Sequence, residues 1–215
     1  MRQYLLTRSA YSRSLPIDRN HARLALLQGV TARSLAAQTQ RDVTWLVLLD
    51  PSDPLLEPRK EAIRSAGLPV MFAPAGRLIR TSRHDKPAGP WSRHVDWSDA
   101  VLTSRLDDDD ALAPDALASV RLAAEACPES AVWVFGSGWW VVRGRAELRR
   151  DPLAPFSSLF APLGDRRTIM DAHHALVGRL APVREAAAGP AWMWVRHAAT
   201  RSLRARPDQI GRAHV

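Results

Sequence analysis

The chain has 215 residues, of which 46% are hydrophobic and 24% charged, a composition that is typical of one folded domain and excludes a disordered chain. Its single cysteine, Cys127, excludes an internal disulfide framework and a cysteine-rich zinc site. The formal net charge of +8, carried almost wholly by arginine, fits phosphorylated or anionic partners: a nucleotide, a nucleic acid or a membrane surface.

Strands and helices alternate along most of the chain. Continuous apolar runs predict buried strands, since strands that are covered on both faces lack polar alternation. The predicted strands are residues 3–7, 43–49, 68–73, 100–106, 131–135, 138–142 and 191–195, and the predicted helices are residues 16–40, 58–66, 114–126 and 168–180. Residues 74–98, rich in proline and glycine, predict a long loop or a helix that starts near Trp97. This order predicts an α/β fold with a mostly parallel sheet flanked by helices.

The two ends of the chain carry expectations about its extent and location. No apolar run approaches the roughly 20 residues of a membrane span. Residues 1–8 reach a charge, Arg8, before a long apolar stretch can form, which argues against a signal peptide. We therefore expect a cytoplasmic protein, with peripheral contact at the inner face of the membrane left open. Residues 210–215 match the peptide that one frame of a common sequencing adapter encodes. We expect a single domain over residues 1–209, leave its natural C-terminal end open, and treat residues 210–215 as a tail.

Four consecutive aspartates, Asp107 to Asp110, follow the predicted strand 100–106. Like charges this close repel one another, and a hard divalent cation with oxygen ligands would relieve the repulsion. The carboxyl end of a central strand is also where α/β sheets bind ligands. The alternative is a solvated acidic turn whose aspartates cap the next helix. The apolar strand before the cluster and the Ala-Leu-Ala-Pro-Asp segment after it favour the metal site.

The segment Leu106 to Asp115 resembles the metal-binding DXD segment of GT-A glycosyltransferases. More narrowly, the chain resembles the bacterial family of putative rhamnosyltransferases. The segments that carry this resemblance keep their order along the chain: Gln38-Thr39, residues 45–50, 105–112 and 155–159, Arg167-Thr168, and Pro190-Ala-Trp192 with His197. The resemblance implies a GT-A domain that transfers a sugar, rhamnose by the family's label, from a dTDP-, UDP- or GDP-sugar to a saccharide or glycoconjugate acceptor. We also expect no nucleic-acid partner, because the charges are scattered, no recognised nucleic-acid-binding motif is present, and four aspartates would repel phosphate unless a metal is bound.

The same resemblance assigns site residues. Thr7 and Arg8 would lie near the base or the diphosphate, and Asp50 near the base or the ribose. Asp109 would ligate Mn²⁺ or Mg²⁺ between the two phosphates. Asp107 would lie on the ribose side and among the metal ligands, and Asp110 would be a further ligand or a supporting carboxylate. Arg105 would lie beside the leaving phosphates. His197, near the C-terminal end of the chain, would complete the metal site. For His197, a surface or core position is the alternative, since the Ala-Ala-Thr that follows departs from the family pattern.

Two roles on the acceptor side stay open. An inverting transferase needs a carboxylate base for the acceptor hydroxyl, and Asp165 and Asp171, beside Arg166-Arg167-Thr168, are the preferred candidates over Asp151. Trp139 or Trp140 could stack on a sugar, or simply pack in the core. The function alternatives are another metal-dependent phosphoryl or nucleotidyl transferase that uses the same aspartates, and a basic nucleic-acid-binding protein. A P-loop enzyme is disfavoured because no GxxxxGK[ST] sequence is present.

Overall fold

A seven-stranded sheet forms the centre of the computed structural model, which describes residues 1–9, 16–75, 90–151 and 156–196. Its strand order is β10-β6-β9-β4-β1-β2-β3, and only β9 runs antiparallel to its neighbours. The strands are β1 Arg2–Ser9, β2 Thr44–Leu49, β3 Val70–Pro74, β4 Val101–Arg105, β6 Ala131–Val134, β9 Ser157–Ala161 and β10 Val183–Glu185. The carboxyl ends of β1, β2, β4 and β6 therefore meet at one edge of the sheet.

Both faces of this sheet are covered, which explains the apolar strands. One face packs on four helices through residues such as Leu24, Leu35, Ile63 and Val120. These helices are α1 Ile17–Leu26, α2 Ala32–Ala36, α3 Leu56–Arg64 and α4 Ala116–Glu125, and a π-helical turn at Leu27–Thr31 joins α1 to α2. The other face packs on short 3₁₀ helices at Pro90–His94, Ile169–Asp171 and His174–Arg179. The result is a three-layer α/β domain.

A second sheet of four strands extends from the carboxyl edge of the first. Its order is β5-β11-β7-β8, with β5 Ala111–Leu112, β7 Ser137–Val142, β8 Arg145–Arg150 and β11 Pro190–Arg196. β11 lies antiparallel to β5 and parallel to β7. Because β5 begins one residue after the four aspartates, this sheet is held directly beside the aspartate loop.

The predicted fold class and most predicted elements are confirmed. Residues 168–180, predicted as one helix, form two short 3₁₀ helices, because this segment lies flat on the sheet and buries Ile169 and Val177 against it. The sequence patterns miss β8 and β10, whose residues are mostly exposed, and β9, which begins with two serines. Of the predicted loop, residues 76–89 lie outside the described residues, as do residues 210–215. In the described part of the chain, every helix is too short or too polar to cross a membrane.

Candidate functional site

The aspartate loop leaves β4 at the carboxyl edge of the main sheet. The backbone N–H of Leu106 donates to the carbonyl of Leu6 (3.1 Å), which keeps the loop attached to β1. The backbone N–H of Asp110 donates to the carbonyl of Asp107 (3.3 Å), which closes a tight turn. Asp107 is partly exposed, whereas Asp108, Asp109 and Asp110 are 1%, 6% and 2% exposed. Three carboxylates are thus held away from bulk water, and this burial needs compensation.

Arg23 of α1 supplies part of that compensation. Its Nη2 lies 2.6 Å from Asp108 Oδ1, and its Nη1 lies 3.1 Å from Asp109 Oδ2. The hydroxyl of Ser9, the last residue of β1, donates to Asp108 Oδ2 at 2.6 Å. One guanidinium therefore bridges two neighbouring aspartates. Such charge-assisted bonds are short and directional, so Arg23 restricts how the loop can move.

A second buried arginine supports the first from behind. Arg59 of α3 is fully buried, and its Nη1 lies 3.8 Å from Asp108 Oδ2. Its Nε donates to Asp53 Oδ2 (2.9 Å) and its Nη2 to Asn20 Oδ1 (2.6 Å), while Asn20 Nδ2 donates to Asp53 Oδ1 (2.8 Å). These residues connect α1, the loop after β2 and α3 to the aspartate loop. We call Arg23, Arg59, Asn20, Asp53 and Asp108 the buried ion network.

Asp110 differs from its neighbours because no arginine salt bridge to it is formed among the described residues. Its Oδ1 accepts a hydrogen bond from the backbone N–H of Val195 in β11 (2.9 Å), and its Oδ2 is buried with no hydrogen-bond partner in the described part of the chain. Burial, and then the charges of Asp109 and Asp107, raise the pKa of Asp110 well above its ordinary value. The site therefore holds one buried carboxylate oxygen that accepts no hydrogen bond from the described residues.

The chemistry of these oxygens fits a hard divalent cation. Carboxylates are the ligands that Mg²⁺ and Mn²⁺ prefer, and the orphaned Asp110 Oδ2 is a position where a cation would be stabilised. The described residues contain no group of three or more His, Cys, Asp or Glu side chains arranged to hold a metal. Mg²⁺ is commonly held by one or two carboxylates together with substrate phosphates and water, so a third protein ligand is not required.

The residues predicted to bind the nucleotide do not all lie at the edge of the site. Thr7 is fully buried, and its Oγ1 accepts a hydrogen bond from the indole Nε1 of Trp45 (2.9 Å), so its side chain belongs to the core. Ser9, two residues further along the same face, reaches the aspartate loop instead. Arg8 is exposed near the end of β1.

Asp50 and Arg105 lie at the carboxyl edge as predicted, next to β2 and β4. Asp50 Oδ1 accepts hydrogen bonds from the backbone N–H and the hydroxyl of Ser52, at 2.9 and 2.7 Å, and so shapes the turn after β2. Arg105 Nη2 lies 3.4 Å from Asp107 Oδ1. This half-exposed pair borders the aspartate loop on its solvent side.

Of the two predicted bases, Asp165 is not brought to the aspartate loop, and Asp171 has a local capping role. β9 pairs antiparallel with β4, with Ala161 opposite Val101, so Asp165 follows β9 at the amino edge of the sheet. Hydrogen bonds from Arg167 hold the pKa of Asp165 below its ordinary value. Asp171 accepts a hydrogen bond from the backbone N–H of Thr168 (2.7 Å) and caps a 3₁₀ helix. The geometry gives neither carboxylate support as the base, and the assignment stays a prediction. His197 lies outside the described residues.

Sequence patterns missed the buried ion network except for Asp108. Asn20 and Arg23 lie on α1, Asp53 lies in the loop after β2 and Arg59 lies on α3, and together they match no local motif. One general signal could have indicated the network: Asn20, Arg23 and Arg59 occupy inward positions of helices whose other inward positions are apolar.

This α/β architecture, with an acidic loop after its fourth strand, is the GT-A fold of nucleotide-sugar transferases. A family model described as "putative rhamnosyl transferase" matches residues 15–209, and the chain belongs to that family. A search of curated protein sequences gives no match.

Solved structures share this fold. The crystal structure of S. aureus TarS 1-349 in complex with UDP-GlcNAc has a TM-score of 0.58 at 12% identity, covering 92% of this chain and 59% of that one. Another structure of S. aureus TarS 1-349 gives a TM-score of 0.54 at 12% identity, covering 91% and 60%. A longer S. aureus TarS structure gives 0.50 at 13% identity, covering 91% and 37%. The chain therefore spans less than two thirds of the structures it resembles.

Proposed function

We propose that this protein is a metal-dependent glycosyltransferase that moves a sugar from a nucleoside-diphosphate sugar to a saccharide or glycoconjugate acceptor. The observation that carries the proposal is the buried aspartate loop at the carboxyl edge of a GT-A sheet, with Asp110 Oδ2 left without a partner. Membership of the rhamnosyl transferase family makes rhamnose the first sugar to test. The bound UDP-GlcNAc in the S. aureus TarS structure supports a nucleotide-sugar donor of this kind.

In the proposed mechanism, Asp109 and Asp110 would hold Mn²⁺ or Mg²⁺ at the site of the donor diphosphate. The cation would neutralise the charge that develops on the departing nucleoside diphosphate. Asp107, the most exposed of the four aspartates, is free to turn toward the ribose, and Arg105 beside it adds positive charge near the phosphates. Arg8 and Asp50, at the ends of the two neighbouring strands, extend the same edge toward the nucleotide.

The buried ion network would prepare this site before the donor arrives. Arg23 Nη1 lies 3.1 Å from Asp109 Oδ2 and so orients this carboxylate before a cation arrives. Because the loop is already ordered, little conformational entropy is lost on binding, and this raises affinity. The network is therefore assigned a positioning role and makes no contact with the reacting atoms.

The proposal is tested by following nucleoside diphosphate release from dTDP-rhamnose, UDP-sugars and GDP-sugars, with Mn²⁺, with Mg²⁺ and with chelator. Slow hydrolysis of one donor, in which water replaces the acceptor, is expected only with the cation. Asp109→Asn should lower this rate by about 10²-fold or more, the typical cost of losing a group that stabilises transition-state charge.

Asp115→Asn is the matched control. Asp115 is an exposed aspartate next to α4, six residues further on, and makes no side-chain hydrogen bond to the start of that helix. Asp115→Asn should hydrolyse the donor at a rate within about twofold of the wild-type rate, since substitutions at exposed positions away from a site have little effect. Release that is equal with and without chelator, or unchanged in Asp109→Asn, would refute metal-dependent transfer at this loop.

A further inference from the structure

One face of the second sheet carries a ladder of alternating arginine and tryptophan side chains. The rings of Trp140 in β7 and Trp194 in β11 lie 4.7 Å apart. The guanidinium carbon of Arg149 lies 4.2 Å from the Trp140 ring centroid, and that of Arg196 lies 4.2 Å from the Trp194 centroid. We call Arg149, Trp140, Trp194 and Arg196 the Arg-Trp ladder. All four side chains are half-buried, so each still presents part of its surface.

The inner end of the Arg-Trp ladder adjoins the aspartate loop. Val195, the residue before Arg196, donates its backbone N–H to Asp110 Oδ1. Burial lowers the pKa of Arg196, while the charges of Asp110 and Asp109 oppose that shift. The ladder therefore begins beside the place assigned to the donor.

The outer end of the ladder opens into a cavity of about 440 Å³, which Arg149 lines. The same cavity is lined by Arg150, Glu185, Ser137, Gly136 and Gly189. Glu185 lies against Gly136 so closely that a Cβ at that glycine would collide with its carboxylate. Ligand sites commonly enclose about 300–1,000 Å³, so the cavity is large enough for a sugar unit, and it offers both cations and a hydrogen-bond acceptor.

We propose that the Arg-Trp ladder and this cavity bind the acceptor, and that the acceptor is a saccharide carrying anionic groups. This inference rests on the proposed function, and it names the acceptor class. Each tryptophan ring has an arginine guanidinium over it, so the apolar surface that remains exposed is what a sugar's C–H groups would contact. Glu185 can accept hydrogen bonds from the sugar's hydroxyls. Arg149, whose Nη2 also lies 2.8 Å from Glu147 Oε2, and the exposed Arg150 supply two guanidinium groups at the far end. Guanidinium binds carboxylate and phosphate oxygens with paired hydrogen bonds.

The charges favour an anionic saccharide over a bare polyanion. The ladder runs from the negative aspartate loop to a cavity lined by Arg149 and Arg150 as well as Glu185, so a ligand with sugar rings near the loop and anions beside the two arginines matches it. A polyanion without sugars would leave the tryptophan faces and Glu185 unused, and it would be repelled at the inner end.

The test measures binding by tryptophan fluorescence titration at about 0.15 M ionic strength, where exposed charges are screened. The probes are tetragalacturonate, phosphorylated maltotetraose, neutral maltotetraose and short-chain polyphosphate. One anionic tetrasaccharide should bind about tenfold or more tightly than maltotetraose, the factor expected for one charged hydrogen bond. Which anionic probe binds better distinguishes a phosphate-bearing acceptor from a carboxylate-bearing one.

Two variants of the same strand sharpen the result. Arg149→Ala should lose most of the preference for the anionic tetrasaccharide, and Arg145→Ala, an exposed arginine at the other end of β8, should keep it. Equal affinity for neutral and anionic tetrasaccharides, tighter binding of polyphosphate, or equal losses in both variants would overturn the inference. Failure of the proposed function has a different signature, since the wild-type protein would then release no nucleoside diphosphate from any donor.

Discussion

Removing the charge of the Arg23 side chain should destabilise the fold, and the contacts of this residue allow the size of the loss to be worked out. Arg23 is 7% exposed and bridges two aspartates that are 1% and 6% exposed. In Arg23→Met the side chain keeps most of its length but loses its charge, which leaves Asp108 with Ser9 and a guanidinium nitrogen of Arg59 at 3.8 Å. Breaking a buried ion pair from one side typically costs about 3–5 kcal/mol.

In a chain of this size each kcal/mol lowers the melting temperature by about 2–4 °C, so Arg23→Met should melt roughly 6–20 °C below the wild type. Thermal unfolding followed by circular dichroism measures this. Arg121→Met is the matched control, because Arg121 forms a partly exposed ion pair with Glu125 on α4. Exposed pairs contribute about 0–1 kcal/mol, so the control should melt within a few degrees of the wild type.

A double-mutant cycle separates the ion pair from simple packing. Asp108→Asn keeps the hydrogen bond from Ser9 and removes the charge. If Arg23 acts through Asp108, the costs of Arg23→Met and Asp108→Asn should be non-additive by about 1–3 kcal/mol. Additive costs, or a loss in Arg23→Met no larger than that in Arg121→Met, would refute the buried ion network.

Three further predictions concern single positions. Because the pKa of Asp110 is raised in the folded state, the metal-free protein should lose stability as the pH rises from the ordinary aspartate pKa through the folded-state pKa. Asp110→Asn should reduce this loss. Melting temperatures measured from pH 4 to pH 8 test both expectations. Gly138→Ala places a methyl group against the atoms of the buried Trp192 ring and should lower the free energy of unfolding, measured with denaturant, by about 1–3 kcal/mol. The control Gly29→Ala has open space around the added methyl group and should not lower it. Asp165→Asn should hydrolyse the donor at a rate within twofold of the wild-type rate, since Asp165 lies at the edge of the main sheet opposite the aspartate loop. A large loss of this rate with unchanged stability would instead support Asp165 as the base.

The main strands and the place of the aspartates could be predicted because both depend on local patterns. Strands β1, β2, β4 and β6 are short apolar runs, and such runs are stable only when both faces are covered. Asp107 to Asp110 follow one of these runs directly. Any parallel arrangement of those strands brings the aspartates to the carboxyl edge, whatever the remaining topology.

The surroundings of the aspartates depend on contacts that local patterns do not encode. Asn20, Arg23, Asp53, Arg59 and Asp108 meet only when α1, α3 and β4 are assembled, and the sequence separations between these residues reach 88 positions.

The position of Asp165 depends on the direction of β9. In a parallel strand the residues that follow would lie at the carboxyl edge, but β9 is antiparallel and takes them to the other edge. Its five residues, which begin with Ser157 and Ser158, carry no sign of direction.

The central claim is that the aspartate loop binds a nucleoside diphosphate through a divalent cation. Isothermal titration of dTDP, UDP and GDP into the wild-type protein and Asp109→Asn, each with Mn²⁺ and with chelator, tests it most directly. The account predicts binding of one nucleotide to the wild type with Mn²⁺, and affinity at least about tenfold weaker without Mn²⁺ or in Asp109→Asn, equivalent to about 1.4 kcal/mol. Binding of equal strength with chelator and in Asp109→Asn, or no binding of any of the three nucleotides, would contradict the account.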